Sequence, residues 1–288
     1  MPTETVYGLA ANAYSSKAIS KIFKLKKRPK NNPLIVHYSS LEMLKRDCIL
    51  NKNFTNLYNK FCPGPLTFIL KLKKDSKISK FVTNNKKTLA VRFPSHPKAK
   101  GLLKILNYPL AAPSANISSR VSPVTKNHVK EEFGKKIKYI IEGGLSKIGL
   151  ESTIINLTGK PEILRIGSID IDKLSKALKK KLLYRKKTYM RVPGQNRLHY
   201  SPGIPLRMNC KEASLDEAFI LVKKRNNSNK NFFYLSKNKN LKEAARNLYS
   251  VLRMIKKKGY KKIAVEKIQN KGIGLAINDR LQKASSNK

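Results

Sequence analysis

The chain has 288 residues and a mass of 32.7 kDa, which exceeds a peptide-scale module and fits one large domain or two ordinary ones. With 40% apolar residues it can build a core, and its 62 Lys and Arg against 17 Asp and Glu leave a net charge of +45. That balance suits polyanionic partners such as nucleotides, RNA or an anionic membrane surface. Of the cations 49 are Lys, Asn is abundant and Trp is absent, so the charge reads equally as A/T-rich codon usage leaving a solvated lysine surface. Cys48, Cys62 and Cys210 lie far apart with no CxxC pair, which supports neither a disulfide framework nor a zinc ribbon and points to a reducing, cytoplasmic compartment. The opening MPTETVYGLAANAYSS lacks the basic and apolar regions of a leader, and no apolar run reaches the roughly 18 residues of a membrane span.

From residue 1 to about 177, short apolar runs alternate with amphipathic stretches bounded by Pro, Gly and Ser, an α/β pattern. Ser16 is placed to cap a helix running to Lys27, with Ile19, Ile22 and Phe23 on one face. Strands are expected at 34–37, 67–72, 88–93, 139–142 and 152–157, each rich in Ile, Leu or Val. Further helices are expected at 98–106 and, opened by Asp170, from there to about Leu183, with Ile171, Leu174, Leu178 and Leu182 aligned. Residues 178–206 read as a basic, Pro-containing linker, either a solvated spacer or a segment that packs over something through RVPGQNRLHYSPGIPLR. Residues 207–288 form a small α/β domain, with strands at 218–222, 232–235 and 262–266 and helices at 241–258 and 277–284. The charge is shared, +21 over residues 1–170 and +24 over 171–288.

The usual nucleotide and hydrolase signatures are missing: no GxxxxGK[ST] loop, no GxGxxG, no HExxH and no G-x-S-x-G. The four histidines, His37, His96, His128 and His199, are scattered, so a histidine metal site is not expected. What remains is a series of polar clusters at the ends of apolar runs, where an α/β sheet places its site. Pro2-Thr3-Glu4-Thr5-Val6-Tyr7-Gly8 is either a capped turn or a small polar pocket. Lys26 and Arg28 stand at a helix end, as dipole complements or as phosphate ligands stiffened by Pro29 and Pro33. Arg92 interrupts the apolar strand between Val91 and Phe93 and needs an anion, supplied internally or by a ligand; the scarcity of acids favours the ligand. Ala111-Ala112-Pro113-Ser114-Ala115-Asn116 leads to Ser122, and Glu151-Ser152-Thr153 enters a strand shortly before Ile163-Leu164-Arg165.

In this order and spacing, PTETVYGL, KxRP with NPLIVH, CPGPLTFIL, VRFP, APSAN, ESTI and ILRIG resemble the YrdC-like domain of L-threonylcarbamoyladenylate synthases over residues 1 to about 170. HYSP and VEKIQNKGIGLAINDRL resemble the longer, two-domain form, so the likeness spans nearly the whole chain. The resemblance implies a twisted mixed sheet flanked by helices over residues 1–177, the linker acting as a lid, and a small Rossmann-like domain. It implies condensation of L-threonine, bicarbonate or CO2, and ATP into threonylcarbamoyl-adenylate and pyrophosphate, feeding tRNA threonylcarbamoyladenosine synthesis through a downstream transferase. Lys26 and Arg28 would hold the triphosphate, and Asn32, Thr88, Ser114, Asn116, Ser122, Arg165 and Tyr200 would complete the ATP site. Thr5, His37, Arg92, Ala112 and Ser152 would read threonine. Mg²⁺ would be held mainly by the phosphates, with no protein metal site.

Against the family pattern, the sequence opens directly on PTET without the helix and strand that normally precede it: either an upstream start has been missed, or a core strand is absent and an exposed sheet edge is expected beside the threonine pocket; the C-terminal domain is also short. Two rival readings compete. One is a non-catalytic RNA-binding protein using the same fold and the +45 charge, with direct tRNA contact. The other is the carbamoyl chemistry of hydrogenase maturation factors, whose zinc-type cysteine pairs are absent here. No amphipathic segment suits a membrane surface.

Overall fold

The structure, a computed structural model, describes residues 1–184, 192, 199–226 and 229–285. In chain order the elements of the first part are β1 (Ala11–Asn12), α1 (Ser16–Lys26), β2 (Ile35–His37), α2 (Leu41–Asp47), β3 (Cys48–Ile49) and α3 (Lys52–Phe61). There follow β4 (Leu66–Leu72), α4 (Lys80–Thr83), β5 (Thr88–Arg92), α5 (Pro97–Ile105), β6 (Leu110–Ala111), α6 (Lys126–Phe133), β7 (Thr153–Asn156), β8 (Glu162–Arg165) and α7 (Ile171–Leu178). The second part holds β9 (Leu206–Cys210), β10 (Ala218–Lys223), β11 (Phe232–Ser236), α8 (Leu241–Lys257), β12 (Ile263–Glu266) and α9 (Ile273–Ala284). The first sheet is mixed, in the order β1-β6-β2-β5-β4-β7-β8 with β3 against β4, and the second is all parallel, in the order β11-β10-β12-β9.

The first sheet is two-faced because side chains alternate along a strand and registered neighbours share a face. One face carries Val36, Phe68, Leu70, Leu89, Val91, Ile155 and Ile163 against Ile19, Ile22 and Phe23 of α1, Phe54 and Leu57 of α3, and Leu174 and Leu178 of α7. On the other face, Ile35, Ile69, Ala90, Ile154 and Leu164 form an apolar cluster over five strands on which Val192 buries, with Ile35, Ala90 and Ile69 as its in-register row. Two residues along from that row come His37 and Arg92, paired in register, with Thr67 beside Arg92. The β7–β8 register shifts between Ile154 and Ile155, so that Leu164 is an extra residue and Arg165 pairs with Ile154. The polar site therefore lies on the face that helices leave uncovered.

Loops of the first part share one core with the second sheet and its helices. Val6, Val121, Val124, Leu150 and Ile166 of the first part pack with Leu248, Leu252, Ile277 and Leu281 of α8 and α9. The second domain is thus docked on the loops of the first by apolar burial.

Several expectations are corrected. Residues 139–142 form no strand: Tyr139 is 77% exposed, and the backbone of the adjacent turn bonds to Tyr7, whose hydroxyl donates to Gly144 O and accepts from Gly143 N. The strand pairing with β7 is instead β8. The cap of α1 is Ser15, whose Oγ accepts from Ala18 N, while Ser16 Oγ bonds Ser79 Oγ. Asp170 caps α7 as expected, but that helix stops at Leu178 because Lys179 turns left-handed at φ 51°. The last helix starts at Ile273, and β9 was not read at all. Residues 185–191 and 193–198 of the basic linker lie outside the described residues.

Gly167, just beyond β8, is a point of close backbone approach. A Cβ there would stand 2.5 Å from Ser152 C and 2.7 Å from Glu151 O, neither of which can yield without moving the site strand. Gly167→Ala is expected to cost about 2–3 kcal/mol of stability by overpacking, checked by urea denaturation; a change under 0.5 kcal/mol would refute this.

Candidate active site

The N-terminal segment folds around Thr3, whose hydroxyl donates to Val6 O at 2.6 Å and accepts from Val6 N at 3.2 Å, a local turn of the kind Thr favours. This turn brings Glu4 and Thr5 against the carboxyl end of β5. Arg92 donates to Glu4 Oε1 at 2.8 Å, to Thr5 Oγ1 at 2.8 Å and to Gly64 O at 3.4 Å. The anion next to Arg92 is therefore internal, against the expectation that a ligand alone supplies it. The guanidinium nevertheless lines the cavity, and of its five N–H groups those bonds use three. Burial acts to raise the pKa of Glu4, but the charge and hydrogen bond of Arg92 outweigh it and hold the carboxyl below its ordinary range.

His37 closes the same pocket at the end of β2. Burial first, then the Arg92 charge, lower its pKa to about 3, so it is neutral at physiological pH, and its Nδ1 is buried without a partner. Ala112 and Ser152 complete this side. Ser152 Oγ sits 2.7 Å from Thr67 Oγ1 and accepts from Arg165 Nη2 at 3.0 Å, while Arg165 Nε donates to Ser152 O at 3.0 Å.

Arg28 lines the opposite side. It lies beyond the left-handed cap Lys27 of α1 and donates to Asn32 O at 3.1 Å, Asn32 Oδ1 at 2.6 Å and Pro33 O at 2.9 Å, all neutral acceptors. Burial, then the charge of Arg165, depresses its pKa, the signature of cations gathered in low dielectric. Ser114 is in the wall as well.

The remaining wall comes from Glu151, His199 and Tyr200. Glu151 accepts from Ser122 Oγ at 2.6 Å, and from Tyr249 Oη at 2.8 Å and Arg280 Nε at 2.9 Å in the second domain. Although burial opposes its ionisation, Arg280 and then Arg165 lower its pKa to about 2. Tyr200 stands at φ 63°, a strained conformation for an aromatic residue, against His199 and Tyr249 and under the Arg280 guanidinium at 5.0 Å. Among the described residues its hydroxyl, His199 Nδ1 and His37 Nδ1 are buried without a hydrogen-bond partner. All three residues line the cavity.

The cavity is a narrow cleft with about 50 Å³ of room for water-sized groups, continuous with solvent. Three arginines (Arg28, Arg92 and Arg165) face it together with one carboxylate, Glu151. Of the expected site residues, Thr5, Arg28, His37, Arg92, Ala112, Ser114, Ser152, Arg165 and Tyr200 meet there. Five are not brought to the wall. Lys26 Nζ turns to Ser114 O and Asn116 O at 2.6 and 2.5 Å, tying the loop from behind, with its pKa well lowered by burial and by Arg28. Asn32 orients Arg28, Ser122 holds Glu151, and Asn116 donates to Ile117 O and Arg120 O. Thr88 lies at the other end of β5, four residues and about 13 Å from Arg92. The sequence reading missed Glu4 as the Arg92 clamp, Glu151 and His199 as wall, and Tyr249 and Arg280 as their supports. The acidic scarcity was the available signal, since a buried Glu in so basic a chain is conspicuous.

Buried cations, a histidine held neutral by burial and an arginine clamped by Glu4 and Thr5 thus meet in one cavity of an α/β fold. A family model described as "Telomere recombination" (Sua5, YciO and YrdC) matches residues 1–167, and one described as "Threonylcarbamoyl-AMP synthase, C-terminal domain" matches residues 166–286. The chain belongs to this Sua5/YciO/YrdC family, in its two-domain form. It is 36% identical to the threonylcarbamoyl-AMP synthase of Pyrococcus abyssi, over 99% of this chain and 89% of the relative, and 35% identical to that of Schizosaccharomyces pombe, over 99% and 84%. Among solved structures, P. abyssi Sua5 complexed with L-threonine matches with a TM-score of 0.90 at 34% identity, covering 99% of this chain and 89% of that one. Escherichia coli YciO matches at 0.53 with 26% identity, over 60% of this chain and 84% of that one.

Proposed function

We propose that this protein is a threonylcarbamoyl-AMP synthase, a nucleotidyltransferase that condenses L-threonine, CO2 or bicarbonate, and ATP. The observation that carries the reading is one cavity joining the Arg92–Thr5–His37 pocket to buried Arg28 and Arg165. The threonine amine captures CO2 as a carbamate, losing a proton. A carbamate oxygen then attacks the α-phosphorus of ATP, and pyrophosphate leaves with the electron pair of the broken P–O bond. No protein nucleophile is needed, so positioning and cations that neutralise developing charge carry the catalysis.

Arg92 offers its remaining N–H groups to the threonine carboxylate, while Glu4 and Thr5 fix the guanidinium plane. His37 Nδ1 meets the small polar groups of threonine as a neutral partner, and Ala112 and Ser152 bound its side chain. Arg28, Arg165 and Ser114 face the phosphates, with Asn32, Asn116, Lys26 and Ser122 holding these groups in place. The Tyr200 hydroxyl points to the nucleotide from the lid side, and Thr88 belongs to the end of the site beyond the Val192-covered row.

Among the described residues no group of three or more His, Cys, Asp or Glu could hold a metal ion, and the carboxylate in the wall is fully engaged by three donors. Mg²⁺ therefore belongs to the substrate as MgATP, bound by its phosphates and water. The product is a mixed anhydride suited to a tRNA threonylcarbamoyl transferase, and the site of action is cytoplasmic. Among the described residues no helix is long and apolar enough to cross a membrane.

Purified protein with MgATP and bicarbonate is expected to release pyrophosphate only when L-threonine is added, with L-serine much less effective. Threonine-independent release, or none, alongside salt-sensitive RNA binding would overturn the synthase reading in favour of an RNA-binding protein.

A further inference from the structure

The second domain approaches the site through one side chain. Arg280 on α9 is only 1% exposed and donates Nε to Glu151 Oε2 at 2.9 Å and Nη2 to Ile166 O at 2.9 Å. Its Nη1 bonds Asp279, and its plane lies 5.0 Å from the Tyr200 ring centroid. Two wall residues, Glu151 and Tyr200, thus rest on one residue from the other domain. Glu151 is a negative charge in a cavity meant for phosphates, and in low dielectric such a charge repels an incoming anion and draws neighbouring cations to itself.

We propose that Arg280 is a positioning residue that cancels the Glu151 carboxylate, so that the polyphosphate of ATP meets a wall of net positive charge. This rests on the ATP reading above. It gives the C-terminal domain a direct share in the reaction: it contributes the counter-charge that keeps Arg165 turned toward Ser152 and the cavity, and a platform for Tyr200. The carboxylate is retained because Ser122 and Tyr249 also bond to it, locking the 114–122 loop to both domains.

The test is ATP affinity by calorimetry in Arg280→Met, with the pH as the discriminating variable. The groups facing Glu151 are Ser122, Tyr249, Tyr200, His199, Arg165 and Arg280. Both tyrosines are raised and His199 is lowered to about 3, each first by burial, so none titrates between pH 5.5 and 8. Asp279 keeps Lys283 as its partner at 2.8 Å. With Arg280 removed, burial of Glu151 is opposed by Arg165 and the Ser122 and Tyr249 hydrogen bonds alone, so its pKa rises and it becomes the group of this set expected to take up a proton as the pH falls. At pH 8 the Kd for ATP should rise about tenfold or more, the effect of leaving one uncancelled carboxylate in the wall, and should recover as the pH falls to 5.5.

Arg280→Lys should restore most of the affinity, and Glu151→Gln combined with Arg280→Met should bind ATP more tightly than Arg280→Met alone, even if its melting temperature is lower. A Kd unchanged in Arg280→Met, a loss independent of pH, or a double variant no tighter than the single would overturn the proposal. Absence of ATP binding by the unaltered protein would instead strike the ATP reading.

Discussion

Arg92→Lys is expected to lower threonine-dependent pyrophosphate release by about 10²- to 10³-fold, the equivalent of the 3–5 kcal/mol that breaking a buried charge pair costs. Arg92 bonds Glu4 through one terminal nitrogen and Thr5 through the other, at 2.8 Å each, while keeping N–H groups for a carboxylate. A lysine ammonium is a single point on a flexible stem and cannot span both while presenting a planar fork. If it stays on Glu4, the threonine carboxylate loses its partner; if it turns to the ligand, Glu4 is left buried and unpaired. The loss should appear mainly in the KM for threonine, with the KM for ATP changing less than threefold. An activity within fivefold of the unaltered protein in steady-state kinetics would show that Arg92 serves only to bury Glu4.

Stability should fall steeply between pH 6.5 and 5. His37 and His199 are buried with pKa values lowered to about 3, and His128, partly buried, to about 4, burial being the leading cause in each. In the unfolded chain a histidine takes up its proton near pH 6.5, whereas in the folded protein these three stay neutral until the pH reaches their lowered values. The unfolded state therefore binds more protons throughout this window, and folding stability drops as the pH is lowered. Each fully buried histidine loses about 2 kcal/mol by pH 5, so His37 and His199 together remove about 4 kcal/mol relative to pH 7, with His128 adding to it. Glu151, with its pKa lowered to about 2 by Arg280 against the effect of burial, begins to cost stability only below the ordinary carboxylate range near pH 4.5, so the upper window belongs to the histidines and to the Met1 amino group, whose pKa burial lowers to about 6. Urea denaturation at pH 7, 6 and 5 measures the slope. His37→Asn and His199→Asn should each flatten it, and a flat profile in the unaltered protein would refute the neutral-histidine assignment.

The two arginines show where reading a sequence stops. That Arg92 sits in an apolar strand and requires an anion is legible locally, since a charge between Val91 and Phe93 faces a side of the sheet that must be satisfied. That the anion is Glu4 is not, because 88 residues separate them and nothing in PTETVYG distinguishes a clamp from a capped turn. Arg280 was legible only as a position in an apolar helix face. Its partner Glu151 lies 129 residues away, and the segment ESTI reads as a polar strand entry whichever charge covers it. Residues 139–142 fail for the opposite reason: their composition suits a strand, but Tyr139 lies exposed and the turn that follows is tied to the Tyr7 hydroxyl through Gly143 and Gly144.

What the sequence determined by itself is the set of local decisions. Short apolar runs placed β4, β5 and β7, helical spacing placed α1 and α7, and the ordered motifs from PTET to HYSP identified the family and nine residues that meet in one cavity. These follow from side-chain alternation and turn chemistry, which act over a few residues. Only the tertiary structure decided which charges neutralise one another, which cations turn away from the cavity as Lys26 does, and that the second domain supplies Arg280 and Tyr249 to the site. Electrostatic and packing free energies depend on distance through space in a low-dielectric interior, and separation along the chain does not encode that distance.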